Sequence, residues 1–240
     1  MAVVTLIIYS LSILQLADSL FKEGDYFNAI TEYKRAIYLN DSSEYAMWKI
    51  GLAYEEREKP EFAAKYFGEL AFVVDSPYIK RHLALNLIKM RKYRESILVL
   101  DEEKDTSSLI ILSSAYGLLG NFEKADSVLS ALDINVPHLP GDRVLTYLSY
   151  VIPGSGLFLL GEYRRGLLSF VFTLTSGYLT YYLLKKKRYP EAVVSFNSLF
   201  LRFYTGNINN AIRLKKKKKR DFYRSLIDRY GKGKHTSPGE

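Results

Sequence analysis

The sequence predicts an all-α chain: a solenoid of helical hairpins followed by a hydrophobic, membrane-associated helical region. Three observations lead there. Small residues recur at a near-constant interval through the first half, each inside the same apolar spacing. In the second half, 19 residues from Gly166 to Leu184 carry no charge and lie between basic clusters. Charge also divides the 240 residues: residues 1–142 hold 15 Lys and Arg against 21 Asp and Glu, a net of −6, whereas residues 143–240 hold 19 against 5, a net of +14. Halves so different in charge do not share one uniform solvent environment, and Pro137-His138-Leu139-Pro140-Gly141, rich in helix breakers, separates them.

Composition narrows the function classes. A hydrophobic fraction of 48% excludes general disorder. The absence of cysteine excludes disulfides, thiolate-zinc sites and a cysteine nucleophile. Three scattered histidines, His82, His138 and His235, give a metal site little to work with. No acid/base pair or nucleophile motif stands out, and Glu55-Glu56 and Asp101-Glu102-Glu103 read as solvated faces and turns. Neither catalysis nor a cofactor is expected.

Residues 1–16 come first. Ala2 to Leu14 is uncharged, too short for a membrane span and of the right length for a signal-peptide hydrophobic region, with Ala17 as a small residue for cleavage. No Lys or Arg precedes the run, and Leu16, Ala17 and Leu20 also fit the repeat register. The segment is therefore an export signal or membrane anchor, or the apolar first helix of the first repeat.

Residues 17–136 carry the repeats. Ala29, Ala63, Ser96 and Ala125 follow one another at intervals of 34, 33 and 29. Three positions before each stands Tyr26, Pro60, Tyr93 or Phe122, and four positions after each stands Tyr33, Phe67, Leu100 or Leu129. Upstream sets, Leu16/Ala17/Leu20, Ile50/Gly51/Tyr54, Leu83/Ala84/Leu87 and Leu112/Ser113/Tyr116, keep the same register. Apolar residues at three- and four-residue steps make two amphipathic helices per unit, with a small residue wherever their axes cross. Gly24 and Gly120 lie at turns, and Asp41-Ser42-Ser43 and Asp105-Thr106-Ser107 offer N-caps. Over roughly residues 10–132 this pattern resembles the tetratricopeptide-repeat family, strongly in the first two units, fairly in the fourth and weakly in the third, where Ser96 replaces alanine and no glycine marks the turn. The resemblance implies a groove built from the first helix of each unit, binding a protein or peptide. Projection onto that groove selects Tyr45, Trp48, Glu55, Tyr78, Arg81 and Lys89, with the single Trp48 as anchor or, equally, as packing between helices.

After a linker at 137–143, residues 144–212 read as a membrane-associated helical hairpin. Gly166–Leu184 has the length to span a bilayer, bracketed by Arg164-Arg165 and Lys185-Lys186-Lys187-Arg188, with Tyr178, Tyr181 and Tyr182 near one boundary. Ala192–Ile212 is a second, marginal span because Arg202 sits at its centre. Val144–Leu160 is broken by Pro153-Gly154-Ser155-Gly156 and suits a bent or interfacial element. The string from Pro153 to Gly166 resembles the opening of bacterial two-helix membrane-hairpin domains, which implies a small membrane module over about 145–212 without established chemistry. Phe158-Leu159 departs from the adjacent aromatic pair usual there.

Residues 213–240 form a basic tail. Its block, Lys215, Lys216, Lys217, Lys218, Lys219 and Arg220, is expected to contact anionic lipid headgroups rather than nucleic acid. Together these readings describe a membrane-tethered interaction scaffold of the inner (cytoplasmic) membrane, with extracytoplasmic repeats and a cytoplasmic tail, or, without an export signal, with repeats and tail both cytoplasmic and joined by a simple hairpin. The competing reading is a soluble repeat protein whose tail binds nucleic acid.

Overall fold

The computed structural model describes residues 13–39 and 43–230, and among them every regular element is helical. They divide into two compact units, one holding the described residues up to Asn135 together with Tyr223–Tyr230, the other Val136–Phe222.

The first unit contains α1 (13–22), α2 (Tyr26–Tyr38), α3 (Ser43–Glu56), α4 (Pro60–Val73), α5 (Pro77–Lys89), α6 (Tyr93–Leu100), α7 (Thr106–Leu119) and α8 (Phe122–Ser130). The repeat register is visible in these boundaries, since Tyr26, Pro60, Tyr93 and Phe122 each open the second helix of a hairpin. Proline suits that place because the first helical N–H has no intrahelical acceptor. Ala29, Ala63, Ser96 and Ala125 are all fully buried, as are Tyr33, Phe67, Leu100 and Leu129 one turn later. The crossings show why the small residues are needed. A Cβ added at Gly51 would come within 2.5 Å of the Phe67 ring, and Ser113 Oγ donates to the Ala125 carbonyl at 2.9 Å, so α3/α4 and α7/α8 approach closely.

Turn chemistry follows the expectation in part. Gly24 and Gly120 adopt left-handed backbone (φ 82° and 97°), while the second and third hairpins place Glu58 and Arg91 there instead (φ 54° and 61°). A side chain in that region costs about 1–2 kcal/mol, which the packing on either side of the turn must offset. Asp105 caps α7 by accepting from the Ser108 N–H at 3.0 Å. The expected cap at Asp41-Ser42 lies outside the described residues. So do residues 1–12, but Ile13, Leu14 and Ala17 are buried in one cluster with Ala29, Ile30 and Tyr33, which makes residues 13–16 part of the first repeat helix.

The second unit contains α9 (Asp142–Val151), α10 (Ser155–Leu159), α11 (Tyr163–Lys185), α12 (Tyr189–Ser195), a π-helical turn (Phe196–Phe200) and α13 (Leu201–Tyr230), whose last turns belong to the first unit. Leu145, Leu157, Leu160 and Ala211 form its small core. The glycine-rich string is a packing device. Gly154 takes φ 88°, and a Cβ on it would lie 2.3 Å from the Gly166 carbonyl of α11, so the turn between α9 and α10 rests directly on that helix.

Two sequence expectations need correction here. The linker 137–143 ends early, because α9 already begins at Asp142. The stretch Ala192–Ile212 runs without a break through α12, the π-helical turn and α13, while among the described residues α11 alone is a helix long and apolar enough by itself to cross a membrane. Residues 213–230 are no loose tail, since they continue α13 without interruption to Tyr230. The Lys-rich block cannot end that helix because lysine is itself a good helix former.

Candidate functional site

The repeat face. The six residues projected onto the groove come from α3 and α5, the first helices of two successive hairpins. Most of them are engaged in holding the repeats together. Tyr45, 38% exposed, donates its hydroxyl to the Asp18 carboxylate of α1 at 2.9 Å, and Tyr33 of α2 donates to the same carboxylate. Burial and the adjacent Asp18 charge push both phenols well above the usual tyrosine range, because a second anion there would be repelled.

Trp48 is buried, with 4% of its surface exposed, so it serves packing and is not a surface anchor. Its ring lies 5.2 Å from Phe67 of α4 and 4.9 Å from both Tyr78 and His82 of α5. Glu55, expected in the groove and on a solvated face, is also interior. One carboxylate oxygen meets His82 Nδ1 at 2.8 Å and the other accepts from Asn86 Nδ2, with 10% of the Glu55 side chain exposed. The carboxylate offers four lone-pair sites, so it can join two groups of the next repeat.

Tyr78 sits against Trp48, and burial raises its phenol pKa. Arg81 pairs with Asp105 at 3.1 Å and lies 5.4 Å from the Tyr78 ring centroid. Beside it Lys80 bridges Asp75 and Glu103, and those hydrogen bonds hold its ammonium well above the ordinary lysine value. Lys89 is exposed at the end of α5. Each successive pair of first helices is thus joined by a polar tie: Asp18–Tyr45 for α1/α3, Glu55–His82/Asn86 for α3/α5, and Arg81–Asp105 for α5/α7. Sequence reasoning missed Asp18, His82 and Asn86. A polar residue on each first helix, about one repeat from its partner, was the available signal.

The apolar hairpin. In α11 the buried residues are Gly166, Thr173, Ser176 and Thr180, whereas Leu167, Leu168, Val171, Phe172, Leu174 and Leu184 are exposed. This inverts the arrangement of a helix in water, which hides its apolar stripe and exposes polar groups. The buried polar groups are partnered. Thr180 Oγ1 meets Ser195 Oγ at 3.0 Å, and Asn207 Nδ2 donates to Thr173 Oγ1 at 3.2 Å. Phe172 stacks on Phe203 with centroids 5.3 Å apart. Thr173 of α11 meets Asn207 and Thr180, further on, meets Ser195, so α11 runs antiparallel to the leg from α12 into α13.

That pairing aligns the basic clusters. Arg164 and Arg165 open α11 level with Arg213 and the start of the Lys215–Arg220 block, while Lys185, Lys186, Lys187 and Arg188 gather at the closed end. Within the block Lys215 pairs with Asp142 at 2.6 Å and Lys218 donates to the Leu160 carbonyl. Among the described residues no group of three or more His, Asp or Glu side chains could hold a metal ion.

A model of the TPR repeat matches residues 17–57. No curated protein matches the chain. Among solved structures, that of Naa15/Naa10 bound to HypK-THB is similar over 92% of this chain, at 20% identity and a TM-score of 0.41. The chain spans 37% of the length of that structure's chain. Among the described residues all regular structure is helical, with TPR-like repeats, an architecture suited to protein–protein interaction.

Proposed function

We propose that this chain is a membrane-tethered repeat scaffold: the hairpin of α11 to α13 anchors it in a lipid bilayer, and the repeat unit holds a protein partner beside the membrane. The observation that carries this reading is the inverted burial of α11. Helix pairs in lipid bury small and weakly polar residues against each other and turn leucine and phenylalanine outward, because lipid tails are as apolar as those side chains. At 1.5 Å per residue, the 23 residues of α11 extend roughly 34 Å, enough for the hydrocarbon core.

On this reading the repeats and the basic block share one side of the membrane, the arrangement expected from sequence where no export signal acts. Tyr223 and Ile227 are built into the repeat core, so the chain has returned to the repeats' compartment by residue 223. Arg164, Arg165, Arg213 and the Lys215–Arg220 block outnumber the four cations at 185–188, which makes the shared side cytoplasmic by the positive-inside rule. For the partner, Tyr45 and Lys89 are the accessible members of the projected groove.

Alkaline carbonate washing of membranes from cells expressing the full chain tests the tether. The chain is expected to stay with the membrane until detergent is added. Release by carbonate as a soluble, folded protein would sink the proposal and favour the nucleic-acid reading of the basic block.

A further inference from the structure

We infer that the cleft between α10, α11 and α13 is a binding site for the phosphate headgroup of an anionic membrane lipid. The inference rests on the membrane reading above and assigns it a specific lipid contact.

The cleft encloses about 440 Å³, within the ~300–1,000 Å³ common for ligand sites. Its chemistry has two parts. Arg165 of α11 and Arg213 and Lys217 of α13 converge on it with Asn210 and Ser169, and no carboxylate lines it. Leu157, Leu168 and Leu214 supply the remaining walls. Three cations brought together from two helices repel one another unless an anion lies between them. Of the three cations, Arg165 alone has an ion pair among the described residues, its Nε 3.7 Å from Oε2 of Glu162, the residue just before α11. Among the described residues Arg213 and Lys217 form no ion pair, although Lys215, two positions away, has Asp142.

The neighbourhood selects an amphiphile over a free anion. Leu168 lies on both the cleft wall and the exposed apolar face of α11, which continues through Val171 and Phe172. A lipid phosphate seated between Arg165 and Arg213 would therefore have its acyl chains laid along that face. The cleft also lies where α11 passes from its charged start into its uncharged stretch, the depth at which headgroup phosphate meets hydrocarbon. Two guanidiniums and an ammonium suit the two unesterified oxygens of a lipid phosphodiester, since arginine forks pair with phosphate oxygens two at a time.

The test uses the full chain in a neutral detergent, with bound lipid counted by native mass spectrometry. Short-chain phosphatidylglycerol and phosphatidylcholine serve as probes. The wild type is expected to hold phosphatidylglycerol in preference to phosphatidylcholine. Arg165→Gln/Arg213→Gln/Lys217→Gln should bind it about tenfold more weakly or worse, while Lys185→Gln/Lys186→Gln/Lys187→Gln, an equal loss of charge at the closed end, should bind as wild type. Arg213→Gln alone, at an exposed position, gives a smaller loss in the same direction if the triple variant does not fold.

Equal losses in the two triple variants would overturn the site in favour of diffuse surface charge. Displacement of the lipid by an equal concentration of inorganic phosphate would overturn it in favour of a simple anion site. Carbonate washing of the same variants separates this inference from the membrane reading. A chain that stays in the membrane without lipid preference defeats the site alone, and wild type released by carbonate defeats the anchor.

Discussion

The carboxylate at position 55 links α3 to His82 and Asn86 of α5, so its removal acts on the junction between repeats. Glu55→Ala is expected to lower the stability of the repeat unit by about 1–3 kcal/mol, the usual cost of removing a buried hydrogen-bond acceptor. Trp48, the only tryptophan and 4.9 Å from His82, reports that unfolding in urea through its fluorescence. Replacing Trp48 itself by Ala should cost about 3–5 kcal/mol by leaving a cavity among Phe67, Tyr78 and His82, and unchanged stability would contradict its buried placement. Tyr33, Tyr45 and Tyr223 set the alkaline limit. Burial, and then a hydrogen-bonded Asp, raise all three phenols in the folded state, so above about pH 10 the unfolded chain holds fewer protons than the native one. Their stabilisation is complete below pH 10 and is lost as pH rises further. Urea midpoints at pH 8, 10 and 11 should fall between the last two, and by less in Tyr223→Phe.

Among the elements, α13 carries the most, since one continuous helix serves both units. Tyr223 fills a notch that exists because residue 117 is glycine; a Cβ there would come within 2.1 Å of the Tyr223 ring. The same ring stacks on Phe122 at 6.4 Å, and its hydroxyl donates to Asp126. Repeat arrays need a closing element over the last apolar face, and α13 supplies it here. Tyr223→Ala is expected to destabilise the repeat unit by about 3–5 kcal/mol and to expose α7 and α8 to limited proteolysis before α2 to α4. At the other end of the helix, exposed Arg202 lies in the apolar leg, where an arginine at the bilayer centre costs about 2.5–3.5 kcal/mol on insertion scales. Arg202→Leu should hold the chain more firmly against alkaline extraction. An unchanged or weaker hold would show that this position does not enter hydrocarbon.

At the scale of the whole molecule, the chain's own lack of cysteine makes sidedness measurable with single introduced thiols. Lys89→Cys in the repeats and Arg229→Cys at the end of α13 are expected to react with an impermeant maleimide from the same side of the membrane, and Lys186→Cys from the other. Labelling of positions 89 and 229 from opposite sides would break the proposed topology. The expectation of separate compartments arose from reading the N-terminal apolar run as an export signal. Three-dimensional packing places Tyr223–Tyr230 in the repeat unit, whose core partners lie about a hundred positions earlier.

The hairpin register, its small crossing residues, the glycine turns at 24 and 120 and the apolar stretch of α11 were all legible in the sequence, because each depends on spacings within one or two helical turns of the chain. The roles of Trp48, Glu55 and Tyr223 were not. Each is settled by partners 19 to 106 positions away, Phe67 for Trp48, His82 for Glu55 and Gly117 for Tyr223, and a tryptophan or glutamate on a first helix has the same local pattern whether it faces a ligand or the next repeat. The inverted face of α11 belongs to the same class: the sequence shows that the helix is apolar, but only its pairing with Ser195 and Asn207 decides that threonine and serine turn inward and leucine outward. Local spacing determined which elements form, and tertiary contact decided which of their faces is spent on the fold and which is left for a bilayer or a partner.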